Sequence, residues 1–194
     1  MKDGFPYREC FTCRNIIDCP HPDCSYGILP RPIPPLVCPK KESVDLVHRP
    51  YNMRSLLLVM LEHYGFKEIP GDKHNEFIVA MFKEIGFEWV KDDETAWCSA
   101  VLNYFCLKVG YERSKSLAAR SWLKMGTEVF EPKIGEDIVI FWREAKDGPF
   151  GHVGLYISTI LDIVYVLGGN QNNQFNISGY PKERVLGYRK LRKL

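Results

Sequence analysis

The chain has 194 residues and a net charge of +2, with 45% hydrophobic and 26% charged residues. That is the composition of an ordinary globular protein, long enough for one domain with a core plus an appendage. So small a net charge gives no strong field for nucleic acid, and no run approaches the roughly 20 apolar residues needed to span a bilayer.

Residues 1–50 form one compositional unit. Five of the seven cysteines, Cys10, Cys13, Cys19, Cys24 and Cys38, lie there beside Pro20, Pro22, Pro30, Pro32, Pro34, Pro35 and Pro39. Proline at this density forbids long helices, and with few large apolar residues the unit cannot hold itself together by a core. Cys10-x2-Cys13-x5-Cys19-x4-Cys24 places four thiols within 15 residues. Four thiolates would close a tetrahedral zinc site, with His21 and Cys38 as substitute ligands. The alternative is two disulfides in an oxidising setting. The odd count of five favours structural zinc. The opening run MKDGFPYREC has no basic region followed by an apolar stretch. The expectation is therefore synthesis in the cytoplasm without a conventional secretory leader.

From residue 51 to 194 the composition is globular. Met53 to Tyr64, Asn75 to Ile85, Trp97 to Val109 and Leu117 to Met125 read as four helices, each stopped by a glycine: Gly65, Gly86, Gly110 and Gly126. The period then changes. Asp137 to Trp142, His152 to Ile157, Ile163 to Leu167 and Val185 to Tyr188 are short β-branched and aromatic runs. Turns are expected at Asp147-Gly148-Pro149 and over Gly168 to Asn173. Helices first and strands second predict an α+β domain with an antiparallel sheet.

One cysteine stands where a nucleophile would. Cys98 follows Asp92-Asp93-Glu94-Thr95, acidic and capping residues of a helix start, and so falls in the first turn of the third helix. A helix N-terminus and an imidazole can lower a thiol pKa from ~8.5 to about 3.5–7.5. The Cys98 N–H, unpaired at a helix end, could hold an oxyanion. Cys106, in the last turn of the same helix, reads as a buried core thiol. Among five histidines only His152 lies downstream of Cys98, opening a strand. After the next strand comes Gly168-Gly169-Asn170-Gln171. A carbonyl oxygen on Asn170 could fix the His152 tautomer, as the third member does in Cys-His-Asn sites, although a plain hairpin turn fits the same residues.

The run Asp93-Glu94-Thr95-Ala96-Trp97-Cys98-Ser99-Ala100 resembles the nucleophile segment of the CHAP and NlpC-type papain-like peptidoglycan hydrolases. The likeness is to a phage- and prophage-associated branch of cell-wall amidases and peptidases, where proline stands in place of Ala96. Further matches follow in order: Glu68-Ile69-Pro70-Gly71 with His74-Asn75; Ala118 to Leu123; Gly151-His152-Val153-Gly154; Val166 to Gln171; Tyr180-Pro181-Lys182; and Leu186-Gly187-Tyr188. The resemblance covers about residues 53–190. It implies a papain-like fold with Cys98 as nucleophile, His152 as general base and Asn170 as orienting residue, alone or with Gln171. Many CHAP domains carry a Glu two places before that Asn, and here the place is Gly168. It also implies a peptidoglycan substrate, chemistry that needs no metal, and action on the bacterial wall after release or delivery. Gln171, Asn75, Arg120 and Trp97 are candidate substrate contacts. Core packing for Trp97, Trp122 and Trp142, and structural hydrogen bonding for Asn75 and Arg120, are the competing readings. The head would dock a virion or secretion-apparatus partner. Two other functions stay open: a protease, deamidase or acyl transferase acting on protein amides, and a non-enzymatic docking protein that retains the fold.

Overall fold

The computed structural model describes residues 55–194. The expected head over residues 1–50, with Cys10, Cys13, Cys19 and Cys24, lies outside the described residues.

Each expected helix forms within a few residues of its predicted bounds. α1 (Leu56–Leu61) starts at Ser55, whose side chain accepts the Leu58 N–H. α2 (Glu76–Glu84) is capped by Asn75, which accepts from the N–H groups of Phe77 and Ile78 and buries Ile78, Met81 and Phe82. α3 (Cys98–Val109) ends at Gly110, whose φ of 77° lies in the left-handed region that glycine enters freely. The fourth helix is a 3₁₀ helix over Ala119–Lys124 rather than an α-helix.

The strands are β1 (Thr127–Val129), β2 (Asp137–Trp142), β3 (Gly151–Ile160), β4 (Ile163–Gln171), β5 (Gln174–Pro181) and β6 (Val185–Lys190). They form one antiparallel sheet in the order β1-β6-β2-β3-β4-β5. The class is therefore α+β with a six-stranded antiparallel sheet. Two strands were not expected. β1 is only three residues long, and β5 (QFNISGYP) carries Asn, Gly and Pro, which are poor strand formers that an edge strand tolerates. The turn expected over Gly168 to Asn173 is narrower. β4 runs on through a bulge to Gln171, and the reversal is Asn172-Asn173, both at positive φ (52° and 60°), the requirement of a type I′ hairpin.

One face of the sheet carries the main core. Val101, Leu102 and Phe105 of α3 pack with Ile138, Ile140, Val153, Leu155, Leu167 and Phe175. α3 is buried from Cys98 to Cys106, and its last turn is open to solvent. The opposite face holds a smaller cluster of Val139, Phe141, Tyr156, Val164 and Val166.

The chain between α1 and α2 lies along the edge of this sheet. Gly65 donates to Phe175 O (2.9 Å), Phe175 to Phe66 O (2.8 Å) and Glu68 to Asn173 O (2.9 Å). The Phe66 ring stacks on Trp97 and Phe175 at 5.2 and 5.0 Å. Buried Asp93 anchors the far end of the segment. Its carboxylate accepts from Ile69 N (2.9 Å), Asn75 N (2.8 Å) and His74 Nδ1 (3.1 Å). Burial pushes its pKa up, but these donors outweigh it and hold the group below its ordinary value. The expectation that Asp92 to Thr95 cap α3 is thus corrected. Asp92 closes a local turn onto Thr95, and Asp93 ties down a loop instead.

Asp93→Ala leaves two backbone N–H groups without their acceptor. It should cost about 2–6 kcal/mol in a urea unfolding experiment, at roughly 1–3 kcal/mol per lost partner.

Candidate active site

α3 begins at Cys98 itself. Trp97 is its N-cap and makes no side-chain capping bond. The first N–H groups of the helix therefore lack the partner that a Ser, Thr or Asp cap would supply. The helix tip meets the start of β3. The backbone N–H groups of Val153, one peptide on from His152, and of Ser99 lie near enough to the Cys98 sulfur to favour its thiolate. Cys98 and His152 are thus held on adjoining elements, and both are nearly buried, at 5% and 1% exposure.

His152 Nε2 lies 3.0 Å from the Gln171 side-chain amide. The surroundings of Gln171 settle which amide atom faces the ring. Its Nε2 lies among backbone carbonyls: Asn176 O at 2.6 Å, Gly168 O at 3.1 Å and Val166 O at 3.4 Å. The amide nitrogen must face these acceptors, so Oε1 must face the histidine. His152 Nε2 therefore carries the proton, and Nδ1 keeps a lone pair. Tyr180 stacks on the imidazole at 4.8 Å, and Phe141 lies beyond at 6.4 Å.

The orienting role expected of Asn170 is corrected. Asn170 sits at φ 56° and turns its Nδ2 to Glu68 Oε1 at 2.8 Å. The bulge between Gly168 and Gln171 shifts the register, so that the next residue reaches His152. Gln171 is 2% exposed, which corrects its reading as a substrate contact. At Gly168, where many CHAP domains have Glu, an added Cβ would lie 3.3 Å from Val153 O, 3.4 Å from His152 Nε2 and 3.5 Å from Gln171 Cδ. Gln171 already fills the space a longer side chain would need.

Three further expected substrate contacts are structural. Trp97 is fully buried and gives its indole N–H to Glu68 Oε1 at 2.7 Å. Asn75 uses its oxygen to cap α2 and its nitrogen to hold Lys67 O at 2.8 Å. Arg120 likewise binds the carbonyls of Phe150, Ala145 and Lys146. Trp122 is core, donating to Ser99 Oγ at 2.8 Å, and Trp142 is half-buried with Arg184 over its ring. Two groups near the site were not singled out from sequence. Glu68 was part of a motif with no role attached. Arg143 is exposed just after β2, and its charge acts on Cys98, His152 and Tyr180 together.

The electrostatics differ from the thiolate expected at a helix start. Burial raises the Cys98 pKa, and the N–H groups of Val153 and Ser99 and the Arg143 charge only partly offset it. Burial lowers His152 to about 4, against the raising effect of its bond to Gln171. At rest Cys98 is a thiol and His152 a neutral imidazole, because desolvation of both groups outweighs their stabilising contacts. Among the described residues no group of three or more His, Cys, Asp and Glu side chains could hold a metal, and no helix is long and apolar enough to cross a membrane.

Compared with known proteins, the chain matches no family model. No curated protein matches it in sequence either.

The buried imidazole makes stability depend on pH. His152 has a pKa of about 4 in the fold and 6.5 as its ordinary value. Between these values the unfolded chain binds the proton and the folded one does not, so stability is complete above pH 6.5 and falls as pH drops toward 4. The loss should total about 3 kcal/mol. Urea unfolding at pH 7 and pH 4.5 should show this fall in the wild type and a much flatter response in His152→Gln.

Proposed function

We propose that the chain is a papain-like cysteine hydrolase of amide bonds, with Cys98 as nucleophile, His152 as general base and Gln171 as the residue that orients the base. The observation that carries this reading is the fixed tautomer. Gln171 holds the proton on Nε2 of an imidazole whose neighbour Val153 presents its backbone N–H to the sulfur of Cys98 at the uncapped start of α3.

The steps follow from that arrangement. His152 Nδ1 takes the thiol proton as Cys98 attacks the carbonyl carbon, so a buried charge need not persist in the resting enzyme. The oxyanion is held by the Cys98 N–H at the tip of α3. The imidazolium, stabilised through Nε2–H by Gln171 Oε1, protonates the leaving amine. His152 then activates water, which releases the acid from the thioester and restores the thiol.

The motif resemblance gives the substrate as peptidoglycan, cut by amidase or endopeptidase action. The protein would be made in the cytoplasm and would act on the bacterial wall after release or delivery. The cysteine-rich head, with structural zinc on Cys10, Cys13, Cys19 and Cys24, would dock the delivering virion or secretion apparatus. One observation favours a second reading, a docking protein that keeps the fold without turnover: Cys98 is only 5% exposed.

Purified peptidoglycan decides between them. Wild type should release muropeptides detectable by mass spectrometry, Cys98→Ala should release none, and Gln171→Ala should be slower by at least about tenfold because the tautomer is no longer fixed. Absence of release by wild type would remove the wall-hydrolase reading.

A further inference from the structure

We infer that Glu68 is a positioning residue for the Cys98–His152 pair, joining the two backbone segments that carry its parts; this rests on the cysteine-hydrolase reading above. One oxygen of Glu68 takes two hydrogen bonds. Trp97 Nε1 donates at 2.7 Å and Asn170 Nδ2 at 2.8 Å. Trp97 immediately precedes the nucleophile and is the N-cap of α3. Asn170 immediately precedes Gln171, which holds His152. The two donors belong to different elements, and the sequence separates Glu68 from Asn170 by 102 positions.

Glu68 is itself well placed to impose a distance. Its own N–H binds Asn173 O at 2.9 Å, and its neighbour Lys67 bridges Gln174 in the antiparallel sense. The next residue, Ile69, is tied to buried Asp93. The Glu68 backbone is thus fixed on both sides before its side chain reaches out. Asn170 needs that hold, because its backbone sits at φ 56°, a conformation that costs a non-glycine residue energy. The Glu68 side chain bonds Trp97 and Asn170 rather than Cys98 or His152. Glu68 acts by setting where Cys98 and Gln171 stand, and a misplacement on the scale of an ångström is enough to slow such chemistry severely.

Three variants of the full chain test this: Glu68→Ala, Glu68→Gln and Asn170→Gly. The last keeps the positive φ at no steric cost and removes only the amide. The first readout is the rate of iodoacetamide alkylation at Cys98, followed by peptide mass spectrometry from pH 5 to 9, which needs no substrate. The second is muropeptide release, split into kcat and KM. Glu68→Ala and Asn170→Gly should each slow alkylation at neutral pH and lower kcat by about tenfold with KM little changed. Glu68→Gln, which retains the shared acceptor oxygen, should restore most of the rate.

Wild-type rates in both Glu68→Ala and Asn170→Gly would overturn the inference. So would a Glu68→Gln variant as slow as Glu68→Ala, since the shared oxygen would then not be what matters. If Glu68→Ala does not fold, Asn170→Gly decides alone. The expected alkylation pattern without wall digestion by wild type supports the positioning role and rejects only the wall substrate. A wild-type Cys98 that alkylates no faster than buried Cys106 removes the catalytic pair and the positioning role together.

Discussion

The amide of Gln171 has one orientation open to it, because three backbone carbonyls surround its nitrogen. That constraint passes outward. The amide oxygen must face His152, His152 must carry its proton on Nε2, and Nδ1 must be the basic nitrogen. Everything about the proposed chemistry depends on this short chain of consequences, and each link is a matter of donors and acceptors rather than of charge. The stacked Tyr180 ring shields the imidazole and keeps the contact dry, which strengthens the hydrogen bond and also makes a charged imidazole costly.

That cost decides how the site rests. A helix start and two N–H groups favour a thiolate at Cys98, yet burial of both partners works the other way and prevails. On the proposed mechanism the proton would therefore move within the attack itself. Arg143, exposed at the end of β2, is a cation whose charge acts on Cys98, His152 and Tyr180 alike, and it favours the negative sulfur while opposing the positive ring.

Much of this was legible in the residues. The helices were readable because their apolar spacing is regular and glycines close them, as at Gly110. Cys98 at a helix start and His152 at a strand start follow from the same periodicity. Gln171 was displaced by Asn170 because local sequence cannot register a bulge, and a single extra residue in β4 changes which side chain meets the histidine. The two consecutive asparagines at the hairpin were a signal that strand β4 continues to Gln171. Asp93 looked like a helix cap because it is acidic and precedes α3, but its partners Ile69 and Asn75 lie far back in the chain. Glu68 had the same difficulty. Its partners are reached only through the fold, and no spacing rule connects it to Asn170.

The most direct test is the protonation of His152 itself, followed by long-range proton–nitrogen NMR on protein labelled in histidine. The Gln171 contact predicts a neutral ring at pH 7 with the proton on Nε2, unchanged down to about pH 5, and loss of that single tautomer in Gln171→Ala. An imidazolium signal at neutral pH, or a proton resting on Nδ1, would contradict it.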